Sequence, residues 1–223
     1  MRDVFAAEMS TVRRRPGAAG VCVFVDEPAL DRFMQYIDLM NASGRVSHEV
    51  MRLFCVNPTR EATRALCATL QQDESLQGLE ALDRLRPNNS LRDLTAPWRL
   101  TPEFAQRFYL LVSLETVAEE LRDKYPHPNL TLQAGKIEDG ESPLEAAVRE
   151  LHEEARIKAR VVHGPPIPLM SKGMFMYSVF VMQDTPLFLS DSGTLYIGFD
   201  EPDTTTDSES RGETEGGDSE LSD

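Results

Sequence analysis

The chain is poor in cysteine, tryptophan and basic side chains. It has three cysteines in 223 residues, Cys22, Cys55 and Cys67, and none forms a CxxC pair. That excludes a disulfide-stapled fold and a clustered thiolate zinc site, and it fits free thiols in a reducing compartment. No apolar run reaches the roughly 18 residues needed to cross a bilayer, so no membrane partner is expected. The opening residues, MRDVFAAEMSTVRRRPG, lack the apolar stretch of a secretory signal, so a cytoplasmic location is expected. Lysine and arginine total 23 against 37 aspartates and glutamates, a formal net charge of −14. A broad electropositive surface for nucleic acid is thereby excluded, which leaves room only for a local basic patch.

What is present supports one folded core. Hydrophobic residues make up 41% and charged residues 27% of the chain, enough for a domain of ordinary size with a sizeable insertion. The acid is concentrated at one end: residues 200–223 hold ten acids and a single base, Arg211. With almost no apolar side chain, that stretch cannot offset the entropy of ordering, and a disordered acidic tail is expected. The basic triplet Arg13, Arg14 and Arg15 reads as a solvated N-terminal turn.

Patterning divides the rest. Gly20–Val25 (GVCVFV) reads as a buried strand. Helical spacing follows over Pro28–Met40, Ser47–Val56, Pro58–Gln72 (capped by Asn57) and Leu76–Leu85, with a loop over Arg86–Pro97. Thr101 caps and Pro102 opens what reads as the longest helix, to Tyr125. Short strands are expected at Leu130–Gln133 and Ala159–Val162, and a turn at Gly164-Pro165-Pro166. A strong strand is expected at Met174–Met182, with weaker ones at Thr185–Leu189 and Leu195–Phe199. The organisation expected is therefore an N-terminal segment with the first strand (1–27), a mainly helical insertion (28–125), the remaining core (126–199) and the tail (200–223).

The chemistry lies in residues 135–157, GKIEDGESPLEAAVRELHEEARI. Ser142, Pro143 and Glu145 form a capping box that starts a helix. Glu150, Glu153 and Glu154 then share one helical stripe, with Leu144, Ala147, Val148 and Leu151 on the opposite, core-facing side. Three like charges on one face destabilise a helix unless compensated, and a hard divalent cation compensates through carboxylate oxygens. Arg149 adjoins them, within reach of Glu141 in the preceding loop.

This stretch resembles the Nudix box, G-x5-E-x7-R-E-U-x-E-E-x-G-U with U aliphatic. Gly135, Glu141, Arg149, Glu150, Leu151, Glu153, Glu154 and Ile157 fall on its positions. Arg156 departs, standing where the pattern has the glycine that ends the helix in a left-handed conformation. The resemblance implies an α/β fold, an α/β/α sandwich with a mixed sheet, and metal-dependent hydrolysis of a nucleoside diphosphate linked to another group. It implies Mg²⁺ or Mn²⁺ held by Glu150, Glu153 and Glu154, with Arg149 orienting the glutamates and Gly135 and Lys136 shaping the substrate loop. Glu153, Asp200 and Glu201 are the candidate general bases.

Within the family, the AGKIEDGES opening and the long insertion resemble the mRNA-decapping enzymes of large DNA viruses, of the poxvirus and asfarvirus type. That implies capped RNA as partner, in the host cytoplasm, and its hydrolysis to 7-methyl-GDP and 5′-monophosphate RNA. Trp98, Tyr109, Phe175 and Tyr177 are the aromatic candidates for holding a charged methylguanine, and Arg122, Lys124, Lys136, Lys158, Arg160 and Lys172 the cations for RNA. The alternatives are a small diphosphate substrate (a diphosphoinositol polyphosphate, a dinucleoside polyphosphate or ADP-ribose) and a non-catalytic binding protein on the same fold. The four histidines, His48, His127, His152 and His163, form no triad with a serine or cysteine.

Overall fold

The sheet is built outward from β1 (Ala18–Asp26), whose side chains are almost all buried because both faces of the strand are covered. The computed structural model describes residues 17–44, 46–47, 50–79, 81–96, 99–116, 128–169 and 173–200. The arginine triplet, Trp98, Arg122, Lys124, Lys172, His48, His127, Glu201 and the acidic tail lie outside the described residues. After β1 come α1 (Glu27–Ala42), β2 (Val50–Val56), α2 (Arg60–Gln71) and two single 3₁₀ turns. Then follow β3 (Arg86–Pro87), α3 (Asn89–Leu94), α4 (Pro102–Arg107), β4 (Phe108–Glu115), β5 (Asn129–Thr131) and β6 (Gln133–Lys136). The chain continues through α5 (Pro143–Ala155), β7 (Ile157–Ala159), β8 (His163–Leu169), β9 (Met174–Val181), β10 (Leu187–Leu189) and β11 (Leu195–Ile197).

The main sheet runs β3-β5-β4-β1-β9-β8, with β2 added on β4 and β6 on β1. It is mixed: β1 is parallel to β9 and antiparallel to β4 and β6. A second, three-stranded sheet runs β10-β11-β7. Two apolar layers sit on the two faces of the main sheet. Val21, Val23 and Val25 face one way, against Phe33 and Ile37 of α1 and Ala147 and Leu151 of α5. Cys22 and Phe24 face the other way, in a layer with Cys67 and Leu70 of α2 and Leu91 and Leu94 of α3. This is the expected α/β/α layering. Burial pushes the Cys22 thiol up to about 12, which leaves it inert as a nucleophile. Among the described residues no helix is long and apolar enough to cross a membrane.

Several local expectations are corrected. Phe108–Glu115, read as the middle of a long helix, is the strand β4; among the described residues of that segment only Pro102–Arg107 is helical, with Thr101 capping it as expected. Its run FYLLVSLE is apolar on both faces because Leu111 enters one layer and Leu110, Val112 and Leu114 the other, so it carries no alternation. Val50–Val56 is also a strand. A register shift between Val50 and Arg52 puts Val50 and Leu53 in one layer, and Val56 enters the other, so buried residues fall at every third position, the spacing that mimics a helix. The segment 28–125 is thus joined to the core sheet through β2 and β4. Thr59, not Asn57, caps α2 by accepting the Ala62 amide. Arg86–Pro97 holds β3 and α3 where a loop was expected. Gly164-Pro165-Pro166 lies within β8, an outer strand, at the register shift between His163 and Ile167 where the ladder to β9 is interrupted.

Candidate active site

The site is assembled by the β6–α5 turn. The sequence starts α5 as expected: Ser142 accepts the Glu145 amide, Glu145 accepts the Ser142 amide, and Pro143 takes the first turn. Those bonds hold the Glu145 carboxyl below the usual carboxylate range. Ala146, Ala147, Leu151 and Ala155 are buried against the sheet, which turns the glutamate stripe toward the mouth of the β6 loop. Val148 and Leu144, also expected on the core side, are half-buried and exposed.

Arg149 is the hub. Its Nε donates to Glu141 at 2.9 Å, and one terminal nitrogen, Nη1, donates to both Glu150 and Glu153 at 2.8 Å. The other, Nη2, donates to the Lys136 carbonyl at 3.0 Å and to Glu141 at 3.1 Å. One guanidinium therefore pins the loop to the helix and neutralises part of the acidic stripe. Compensation of these charges, read from the sequence as a metal's task, is shared with Arg149. Its bonds, that to Glu141 foremost, hold the guanidinium still more firmly protonated.

The glutamates differ in environment. Glu141 lies below the usual carboxylate range because of the Arg149 bond and the Glu138 amide. Glu150 lies above it, because burial outweighs the same arginine. Gly135 makes room for this carboxyl. A Cβ at Gly135 would overlap the Glu150 carboxyl, so only glycine lets the carboxylate rest on the β6 backbone. Glu154 is held from the same strand, accepting the Ala134 amide at 3.0 Å. Glu153 is the most open, with 55% of its side chain exposed. The Gly135 and Ala134 backbone contacts were not legible as such in the sequence; the box glycine was their one signal.

As the side chains stand, no group of three acidic or metal-binding residues among the described residues converges to hold an ion. The donor set nonetheless fits a hard divalent cation. Glu150 and Glu153 already converge on one cationic nitrogen, and Glu153 is exposed and unhindered enough to rotate.

Arg156 settles the question its position raised. It adopts φ 54°, ψ 36°, the left-handed conformation of the glycine it replaces, and closes α5 with its amide bonded to the His152 carbonyl. Its Nε donates to the Val46 carbonyl at 3.1 Å, which offsets the strain. Arg156→Ala keeps the strain and loses this bond, so urea unfolding should show a loss of about 1 kcal/mol. Arg156→Gly trades one for the other and should stay within about 0.5 kcal/mol of the parent.

Residues 79–187 match the family model described as the NUDIX domain. The chain contains a Nudix domain. Searches among curated proteins and solved structures found no match. A Nudix domain implies a pyrophosphohydrolase acting on phosphoric anhydrides, and Nudix enzymes generally use divalent metal ions such as Mg²⁺ or Mn²⁺. The match begins after β1 and α1, yet both pack in the same layer as the box helix of this Nudix domain.

The other candidates are placed as follows. Asp200 is almost fully exposed and pairs with Arg160 at 3.4 Å, not with a box residue. Lys136 stands exposed at the end of β6, whereas Lys158 lies over the Tyr196 ring, 5.6 Å from its centroid, on the second sheet. His152 is in α5, with burial first and then Lys158 and Arg156 holding its imidazole below its ordinary range. His163 lies 5.5 Å from the Phe180 ring. Phe175 and Tyr177 are half-buried and pack against the layer that contains α5, while Tyr109 lies on β4 paired with Val25. Ala19 of β1 pairs with Gly135 on one side and Phe175 on the other. Phe175 therefore shares the face of the carboxylates, two strands and roughly 10 Å from Gly135.

Proposed function

We propose that the Nudix domain of this chain hydrolyses the 5′ cap of mRNA, with Mg²⁺ or Mn²⁺, to release 7-methyl-GDP and 5′-monophosphate RNA. The chemistry rests on one observation: Arg149 ties Glu141 of the loop to Glu150 and Glu153 of the helix stripe, beside the Gly135-Lys136 backbone. Glu150, Glu153 and Glu154 would hold the cation, which when bound supplies charge neutralisation on the anhydride oxygens and acidifies a water. Glu153, the exposed member, is assigned the proton from the attacking water. Arg149 and Glu141 keep the loop and the stripe in register, and Gly135 seats Glu150.

The cap as substrate is supported by the Gly135-Lys136 opening of the box, by the insertion, and by Phe175 and Tyr177 on the carboxylate face. An aromatic ring there suits a positively charged methylguanine. Other anhydrides, such as a diphosphoinositol polyphosphate, a dinucleoside polyphosphate or ADP-ribose, make the competing reading, and a direct assay separates them. Cap-labelled RNA incubated with Mg²⁺ or Mn²⁺ should release 7-methyl-GDP, and a chelator should stop it. Hydrolysis of small diphosphates with the capped RNA left intact would keep the Nudix chemistry and overturn the RNA substrate. The cytoplasm, where capped transcripts are found, is the corresponding location.

A further inference from the structure

The opposite face of the main sheet carries a second feature that the box does not use. A cavity of about 600 Å³ opens between α2, β3 and α3. Among the described residues Arg60, Arg64, Arg86 and Arg92 line it with a single acid, Asp93. Its floor belongs to the apolar layer of Cys67 and Leu85, whereas the box helix packs on the other layer. The two sites are therefore separated by the sheet.

Four guanidiniums around one cavity are unfavourable in themselves, and more conspicuous in a chain of net charge −14. Arg60 and Arg64 are four residues apart on one helix, where like charges repel. Among the described residues Arg64 and Arg86 make no ion pair, and Arg92 is held by Asn89, a neutral partner, at 2.6 Å. Guanidinium forks match phosphate oxygens better than any other side chain does. The cavity is of small-ligand size. Among the described residues no aromatic side chain lines it, so they offer no stacking platform for the bases of a single strand. With one carboxylate it cannot assemble the metal cluster that hydrolysis needs. Helix α2 lies outside the matched region 79–187, so half the arginines come from a part of the chain beyond the Nudix match.

We infer that this cavity is a binding site for a small polyphosphorylated ligand, distinct from the box and without hydrolytic chemistry of its own. The test is calorimetric titration of the full chain with inorganic tripolyphosphate in EDTA, so that no cation-dependent binding at the box contributes. The parent should bind one equivalent, and Arg64→Glu with Arg86→Glu should weaken binding about tenfold or more. Lys158→Glu with Arg160→Glu, an equal charge change elsewhere, should not. Arg64→Gln with Arg86→Gln serves if the charge reversal fails to fold. Absence of binding by the parent would overturn the inference. So would equal loss in the Lys158 and Arg160 control. A single-stranded RNA that binds through the same arginines and is not displaced by tripolyphosphate would overturn it as well. Because these readouts involve no turnover, they stand or fall separately from cap hydrolysis.

Discussion

Glu153→Gln should lower pyrophosphohydrolase turnover by about 10²–10⁴-fold while leaving the fold intact. The side chain is more than half exposed and its one bond is to Arg149, so an isosteric amide disturbs no packing. It does remove the charge that attracts a cation and the basicity that takes up a proton. Glu154→Gln should also abolish turnover: the amide oxygen can still accept the Ala134 amide, but the negative charge is gone. Steady-state rates alongside thermal unfolding check both variants. Two folded variants with the parent's rate would remove the box from the mechanism.

Gly135→Ala should be as damaging by a different route. The added methyl overlaps the Glu150 carboxyl, and the neighbour that must yield is a half-desolvated carboxylate tied to Arg149. Overpacking of this kind costs roughly 1–3 kcal/mol. Moving Glu150 also breaks the convergence of Glu150 and Glu153, so turnover should fall together with stability. Urea unfolding and a rate assay read the two effects. An alanine variant with unchanged stability and rate would mean that Glu150 does not rest on this glycine in solution.

The site was more legible in the sequence than the fold around it. Ser142, Pro143 and Glu145 announce the start of α5 because capping is local: each partner is within three residues of the other. Glu141 and Arg149 could be paired on paper because the loop between them is short. What holds Glu150 and Glu154 was largely hidden: Ala134 acts through a backbone amide that any sequence supplies, and the glycine at 135 did not name the carboxylate it makes room for. The strands β2 and β4 were misread for a related reason. Burial on both sides of β4 erases alternation, and in β2 a bulge followed by burial on both faces replaces it with a three-residue spacing. Only tertiary pairing distinguishes such runs from helices. Arg156 shows the converse: the left-handed helix end was expected from a motif whose glycine is missing, and a bond to Val46 from a distant loop makes it tolerable.

The central claim is that the glutamate stripe of α5 binds a divalent cation. Titrating the chain with Mn²⁺ and following the free-ion signal by electron paramagnetic resonance measures that directly. The parent should deplete the signal, and a variant carrying Glu150→Gln, Glu153→Gln and Glu154→Gln, shown by circular dichroism to be folded, should not. Equal depletion by the two proteins, or none by the parent, would contradict the account.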